Sequence, residues 1–135
     1  MDFDPVKDGW AALPADAVLG QVWRKLDADG APRFALQLEA RHADAGGQAR
    51  SVLIGAFATF VFEQGLAHAL AGRSAHFTLA SSSSNHLGPA ATGEWLEGKA
   101  DLLRRGRSVA FLHGELSVGD RPILAGDCVF ALQQQ

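Results

Sequence analysis

The sequence predicts an α+β fold in which one long apolar helix is wrapped by a curved antiparallel sheet of about five to six strands. Residues 53–71 form a single apolar stretch, two strand-like segments precede it, and four strand-like segments joined by glycine-containing turns follow it. A helix that is apolar nearly all round has to be buried. A set of antiparallel strands buries such a helix most economically by curving around it.

The segments before the helix predict an N-terminal arm and a β-hairpin. Residues 1–15 are expected to form an ordered arm or a short capped helix that lays Trp10 on the body of the protein. Residues 18–26 and 33–41 are strand-like, and the sequence Asp-Ala-Asp-Gly at 27–30 is typical of the turn between two such strands.

The segments after the helix predict a four-stranded meander. Gly72 follows the apolar stretch and is expected to end the helix, as glycine commonly does. Turns are indicated by Gly88-Pro89, Arg105-Gly106 and Gly119-Asp120. The predicted strands are 76–85, 94–104, 108–118 and 122–132.

Length, composition and charge restrict the classes of protein to consider. A chain of 135 residues that is 47% hydrophobic and 20% charged is expected to form one globular domain, residues 1–135. Its net charge of −3, without long charged runs, predicts neither a nucleic acid nor an anionic membrane as partner. The single cysteine, Cys128, excludes an internal disulfide and, with no signal-peptide pattern, predicts a cytoplasmic location.

One acidic residue interrupts the apolar stretch and is the first candidate for chemistry. Glu63 lies near its middle, where an ionised carboxylate is costly unless it is paired or used. Glu63, Gln64 and His68 also argue against a membrane-spanning segment, although the stretch approaches the necessary length. A buried core helix with a functional acid is therefore expected.

Two segments of this chain resemble a known family. The segment IGAFATFVFE at 54–63 resembles a His-Gly-Gly stretch that runs into a helical acid, and NHLGPAATGE at 85–94 resembles a Tyr-Leu-Arg-Pro-Ala segment followed by a Gly-Asp turn. Both patterns occur in the hotdog-fold acyl-CoA thioesterases, the superfamily of 4-hydroxybenzoyl-CoA thioesterase and the phenylacetate-degradation thioesterases. The resemblance covers roughly residues 16–132 and implies the hotdog fold.

The chain also departs from that pattern. The family's histidine and second glycine are Ile54 and Ala56 here, and its tyrosine and arginine are His86 and Gly88. A threonine that the glutamate branch of the family uses one turn after the acid is Ala67. These departures leave the subfamily open.

The resemblance implies three catalytic residues. The spacing of Gln48, Gly55 and Glu63 resembles that of the glutamate branch, in which a glutamine, a glycine amide and a glutamate form the site. Glu63 would act as nucleophile or general base, and the Gly55 N–H at the helix N-terminus would stabilise the oxyanion. Other interpretations stay open: Glu63 as a structural buried acid, Gly55 as a packing glycine and Gln48 as a solvated or capping side chain.

Helix geometry predicts that the site is shared between subunits. Gly55 and Glu63 are eight residues apart, which is about 12 Å along one helix axis and too far for both to touch one carbonyl. A two-fold homodimer would bring Gly55 of one subunit to Glu63 of the other. The resemblance implies the same arrangement, often doubled into a tetramer.

Two further groups are candidates for binding coenzyme A. Ser83, Ser84 and Asn85 either line a channel for the acyl group or pantetheine arm or simply form a strand of small residues. Arg105 and Arg107 either bind the phosphates, which guanidinium groups recognise well, or occupy a solvated hairpin tip.

The predicted function is hydrolysis of an acyl-CoA to a carboxylic acid and free coenzyme A. No cofactor is expected, because coenzyme A enters as part of the substrate, and no metal, because the five histidines are scattered. One alternative is a non-catalytic hotdog protein that binds acyl-CoA or another hydrophobic ligand, which Ile54 and Ala56 favour. A hotdog dehydratase or hydratase is less favoured, because it needs a histidine where this chain offers Gln48.

Overall fold

The computed structural model describes residues 3–70 and 75–134, which form one antiparallel sheet and one long helix. The helix α1 spans Ser51–Ala69 and a short 3₁₀ helix spans Ala40–His42. The strands are β1 Ala11–Ala12, β2 Val22–Leu26, β3 Pro32–Gln37, β4 Ala75–His86, β5 Trp95–Arg105, β6 Val109–Val118 and β7 Arg121–Gln134. The predicted fold class is confirmed, but the described residues contain seven strands, one more than the upper bound expected, because the N-terminal arm contributes β1.

The order of the strands makes α1 cross the three strands that lie between β3 and β4. That order is β1-β2-β3-β5-β6-β7-β4, and every pairing is antiparallel. β3, the last strand before α1, therefore lies toward one edge of the sheet, and β4 after it forms the other edge. Because α1 connects the two, it has to run over one face of β5, β6 and β7. The predicted four-stranded meander is wrong in its first strand, because β4 pairs with β7 rather than with β5, and of these four strands only β5, β6 and β7 form a meander.

A row of small residues lets α1 approach this face closely. Ala100, Gly114 and Gly126 are aligned across β5, β6 and β7. A Cβ on Gly114 would lie 2.6 Å from the ring of Phe62, so only glycine leaves room for that ring. On the helix, a Cβ on Gly65 would lie 3.1 Å from the Cβ of Ala100. Close packing of this kind fixes both the position and the rotation of α1.

The core lies between α1 and the inner face of the sheet. On β6, Ala110, Leu112 and Leu116 are buried while Phe111 and Glu115 between them are exposed, which is the alternation of a strand with one covered face. The largest side chains that are fully buried belong to both layers and include Phe34, Leu36, Phe57, Leu66, Leu96, Leu112 and Phe130.

The helix is buried on one side only, so the expectation of burial all round is wrong for the single chain. Leu53, Phe57 and Val61 face the sheet and are buried, whereas Val52 and Glu63 on the other side are exposed. The length of Ser51–Ala69 and its mean hydropathy of 1.4 would also suit a membrane span, but core helices have the same properties. The contact with the sheet accounts for the apolar residues of the buried side.

The N-terminal segments differ from their predicted bounds. The first residues described form a turn and an extended arm rather than a helix, and Trp10 is buried with its ring 5.4 Å from that of Trp95. Residues 18–21 precede β2 as a loop, because Asp16 and Gly20 exchange backbone hydrogen bonds of 2.8 and 2.9 Å. After β3 the chain enters the 3₁₀ helix. Gly72, the predicted helix end, lies outside the described residues.

Gly114→Ala tests the close approach of α1 to the sheet. The added methyl group meets the Phe62 ring, so we expect a loss of about 1–3 kcal/mol in the free energy of unfolding. The matched control is Gly55→Ala, where a Cβ meets nothing within 4 Å and the helix should gain about 0.5–1 kcal/mol. Urea denaturation measures both, and equal effects of the two substitutions would contradict this packing.

Candidate active site

Glu63 lies on the outward side of α1, in the middle of the helix. Its neighbours one turn away on the same side are Thr59 and Ala67. Within residues 3–70 and 75–134, its carboxylate has no hydrogen bond and no ion pair. A structural acid would need such a partner, so the structural interpretation loses its main support among these residues.

The surroundings of Glu63 alter its proton affinity. Partial burial raises the pKa of Glu63 above its ordinary value, and the negative charge of Asp16 raises it further. Asp16 reaches this position through the loop before β2. A carboxylate with a raised pKa and no fixed partner is suited to accepting a proton.

The start of α1 determines which backbone donors are available. Arg50 is the N-cap residue, and the N–H groups of Leu53 and Ile54 already donate to its carbonyl at 3.0 and 3.1 Å. In the described part of the chain, the N–H groups of Ser51 and Val52 have no acceptor. They lie at the positive end of the helix dipole.

Gly55 is not one of these unpaired donors, although the sequence predicted that its N–H lies free at the helix N-terminus. It is the fifth residue of α1, and the helical hydrogen-bonding pattern assigns its N–H to the carbonyl of Ser51. Its packing interpretation also fails among the described residues, since a Cβ at Gly55 would meet nothing within 4 Å. Gly55 therefore leaves an open place on the outward side of α1.

Gln48 lies beside the first turn of α1 in a pocket of about 370 Å³ that we call the Gln48 pocket. A turn fixes its backbone, because the Gln48 N–H donates to the Asp44 carboxylate at 3.1 Å and its carbonyl accepts from the Asp44 N–H at 2.9 Å. The other residues that define the pocket are Ala49, Ser51, Ile54, His86, Leu87, Gly88, Pro89 and Ala90. His86, which stands where the family pattern has a tyrosine, is thus part of the Gln48 pocket.

One chain does not bring Gln48 and Glu63 together. Ser51, at the edge of the Gln48 pocket, and Glu63 are twelve residues apart on α1, or about 18 Å along its axis. This separation agrees with the helix geometry on which the expectation of a shared site rests.

The predicted serines point to different faces of the sheet. In the described structure β4 is an edge strand whose one neighbour is β7, and residues 81–86 are exposed. Ser84 faces the same side as α1, because its Oγ lies 2.7 Å from the Cβ position of Gly126. Since side chains alternate along a strand, Ser83 and Asn85 face the outer side.

Arg105 and Arg107 lie far from the Gln48 pocket within one chain. Arg105 ends β5, and Arg107 follows it in the turn before β6. Gln48 pairs with Ala91, just before the other end of β5. β5 has eleven residues from Trp95 to Arg105, and the ten steps between its ends span about 33 Å.

No other nucleophile or metal centre is evident among the described residues. Cys128 belongs to β7 and is buried in the core. Burial raises the pKa of its thiol to about 11, so the thiolate is scarce at neutral pH. Residues 3–70 and 75–134 contain no group of three or more His, Cys, Asp or Glu side chains placed to hold a metal ion. Glu63 therefore stays the first candidate for a reactive group.

The sequence profile of the thioesterase superfamily matches residues 15–125. The chain belongs to the thioesterase superfamily. No curated protein matches its sequence.

Solved structures of similar fold include several thioesterases. A thioesterase from Haemophilus influenzae superposes with a TM-score of 0.74 at 11% identity, over 84% of this chain and 78% of the other. A hypothetical thioesterase from Streptococcus pneumoniae with coenzyme A gives 0.71 at 15% identity, over 93% and 97%. A Bacillus halodurans protein with CoA gives 0.67 at 16% identity, over 83% and 74%. At such identities the likeness shows the fold, and it confirms the predicted hotdog architecture of this superfamily member.

The raised pKa of Glu63 predicts how stability depends on pH. The folded protein holds the Glu63 proton more tightly than the unfolded chain, whose carboxyl titrates near 4.5. As pH rises through 4.5 and above the folded-state pKa, the wild type should therefore lose stability relative to Glu63→Gln. Urea unfolding of both proteins between pH 4 and 8 measures this difference. A difference that does not change over this range would contradict the environment described for Glu63.

Proposed function

We propose that this member of the thioesterase superfamily hydrolyses an acyl-CoA to a carboxylic acid and free coenzyme A, with Glu63 as the reactive carboxylate. The observation that carries the proposal is the Glu63 carboxylate itself, which has no described partner, has a raised pKa and lies on the open side of α1. Thioester hydrolysis needs a carboxylate that either attacks the carbonyl carbon or removes a proton from water.

Two routes use this carboxylate. In the first, a Glu63 oxygen attacks the carbonyl carbon, the carbon–sulfur bond breaks, and water then hydrolyses the mixed anhydride. In the second, Glu63 takes a proton from water as the water oxygen attacks, and the thiolate of coenzyme A leaves and is protonated. Its raised pKa makes Glu63 a stronger base in the second route.

The oxyanion that forms in either route needs hydrogen-bond donors. We assign this role to the N–H groups of Ser51 and Val52, which are unpaired among the described residues and lie at the positive end of α1. Gln48, which lines the Gln48 pocket together with Ser51, would add its side-chain amide as a further donor. Gly55 contributes by leaving space on the outward side of the helix rather than by donating its N–H.

These groups form one site only if two copies combine. The proposed homodimer places Glu63 of one copy at the start of α1 of the other and so creates two equivalent sites. The outward side of α1 supports this proposal, since Glu63 and Ala67 are exposed there in the single chain. So does β4, whose outer edge has no strand beside it in the described structure. A dimer of dimers is the larger assembly we propose.

Coenzyme A binding completes the proposal. The two similar structures solved with coenzyme A support this type of ligand. Ser84, which faces the side of α1, is suited to lining the pantetheine arm, and Ser83 and Asn85 would contact it only at the outer side of β4. Arg105, which is half-buried, and Arg107, which is exposed, are suited to the phosphates by charge. Their distance from the Gln48 pocket of the same chain means that they would serve a site on another copy.

Glu63→Gln tests the proposed hydrolysis. Removing the nucleophilic or basic oxygen should lower kcat about 10²–10⁴-fold on every acyl-CoA that the wild type hydrolyses. The matched control is Glu115→Gln, an exposed glutamate on β6, which should keep its activity. Thiol release from aryl, short, medium and long acyl-CoA substrates measures the effect at equal oligomeric state.

Two outcomes would contradict this proposal. If Glu63→Gln stays folded and retains full activity, another group performs the chemistry. If neither protein releases thiol while acyl-CoA still binds, the chain is a ligand-binding member of the superfamily, the alternative that Ile54 and Ala56 favour.

A further inference from the structure

We propose that a second cleft beside α1 is the acyl pocket of the proposed thioesterase, and that it selects an acyl group with an apolar body and a distal carboxylate. The cleft has a volume of about 340 Å³ and lies between α1 and the loop before β2. We call it the valine cleft, defined by Val18, Arg41, His42, Arg50, Val52, Leu53 and Ala56. The inference rests on the proposed function and adds the class of substrate.

The walls of the valine cleft are apolar and open. Val18 is 67% exposed and Val52 is 65% exposed, although both are large apolar side chains. Leu53 and Ala56 lie beside Val52 and complete the wall that α1 contributes to the cleft. Exposed apolar side chains that face one another across a cleft are typical of a ligand pocket, because a ligand removes both from water at once.

The wall opposite α1 is held in place before any ligand binds. The Asp16 carboxylate accepts hydrogen bonds from the N–H groups of Val18 and Leu19, both at 2.8 Å. Behind the loop, the buried His42 accepts from the Glu39 N–H through Nδ1 at 2.9 Å, so its Nε2–H donates to the Leu19 carbonyl at 3.0 Å. Val18 is therefore presented on a preformed loop, which reduces the entropy cost of binding.

Two guanidinium groups lie at the rim of this apolar cleft. Arg41 lies directly against Gly20, where a Cβ would overlap its Nη2, and it donates to the Leu19 carbonyl at 3.3 Å. Glu39 approaches Arg41 at 3.5 Å, and the Asp16 carboxylate is bound by the N–H groups of its own loop. Arg50 is thus the guanidinium without a carboxylate at ion-pair distance in the part of the chain that the structure describes. An anionic group on the ligand would supply one.

The position of the valine cleft relative to the proposed chemistry indicates that it takes the acyl side of the thioester. Val52 belongs to the cleft and also carries one of the two proposed oxyanion donors. The Gln48 pocket lies on the other side of the same helical turn and includes Ser51 and Ile54. A carbonyl held at the start of α1 would thus have its acyl group in the apolar cleft and its sulfur toward the more polar pocket.

The size of the cleft limits the acyl group. Its volume is near the lower end of the roughly 300–1,000 Å³ found for small-molecule sites. A single aromatic ring or a short aliphatic chain that ends in a carboxylate suits this space, with the carboxylate at the rim where Arg50 and Arg41 lie. The guanidinium fork then forms charge-assisted hydrogen bonds to it.

Two thioesters of almost equal shape test the proposal: 4-carboxybenzoyl-CoA and 4-acetylbenzoyl-CoA, which differ in the distal charge. The wild type should have the higher kcat/KM on the carboxylated substrate. Arg50→Gln should lower kcat/KM about tenfold on that substrate and less than about twofold on the neutral one. Arg50→Lys should restore part of the loss, and Lys7→Gln, which removes a charge from the exposed N-terminal arm, should change neither.

Three results would overturn the proposal. The first is a wild type that does not prefer the carboxylated substrate. The second is an equal loss on both substrates in Arg50→Gln, because Arg50 would then bind their common coenzyme A part. The third is dissociation of the protein by Val18→Asp. We expect this substitution to remove the preference for the carboxylated substrate without changing the oligomeric state measured by light scattering. If Val18→Asp instead dissociates the protein, a second copy fills the cleft.

Binding of the free acids separates failure of this inference from failure of the proposed function. Terephthalate should shift the methyl NMR signals of Val18 and Val52 more than 4-acetylbenzoate does, and Arg50→Gln should remove that difference. If these shifts appear but no thioester is hydrolysed, the cleft assignment holds and the hydrolase assignment fails. If neutral acyl-CoA is hydrolysed but no valine signal responds, the hydrolase assignment holds and the cleft assignment is wrong.

Discussion

The contact between α1 and the small residues of the sheet determines which side chains of the helix are buried and which are open to a substrate or a second copy. Gly114 admits the ring of Phe62, and Ala100 meets Gly65, so the helix approaches the strands closely along one line. That contact fixes the rotation of α1 about its own axis. Since successive residues are about 100° apart around a helix, burial of Phe57 and Val61 leaves Glu63 on the opposite, open side.

On the open side of α1, the candidate catalytic groups lie too far apart in one chain to act on the same substrate. Glu63 lies there without a partner among the described residues, and the unpaired N–H groups of Ser51 and Val52 lie about 18 Å away at the start of the helix. The N–H groups are the donors that the start of any helix leaves unpaired, and the Glu63 carboxylate has a raised pKa from partial burial. A second copy that brings the two ends together gives both a function.

Much of this architecture could be predicted from the sequence, because it rests on local patterns. The glycine-containing turns indicated the strands after the helix, and the apolar run indicated α1 within two residues of its start. The exposure of Glu63 could not be predicted, because α1 carries apolar residues on its open side as well and shows almost no amphipathic pattern. In the single chain, only the sheet distinguishes one side of the helix from the other.

The site was harder to predict than the fold, for two physical reasons. The start of α1 has no conventional capping side chain, as Arg50 is the N-cap residue, so the sequence did not show that Gly55 lies a full turn inside the helix. The loop that carries Asp16 and Val18 depends on long-range contacts with His42 and Arg41, more than twenty residues away. Periodicity and turn chemistry contain no information about such contacts.

The central claim is that each site takes the start of α1 from one copy and Glu63 from another, and complementation between two inactive variants tests it most directly. Gln48→Ala and Glu63→Gln subunits, carrying different tags, are produced together and the mixed dimers are allowed to form. Random pairing makes half the dimers mixed, each with one intact site, so the mixture should recover about a quarter of wild-type activity. Activity no higher than the mean of the two separate variants, in dimers shown by their tags to be mixed, would contradict a shared site.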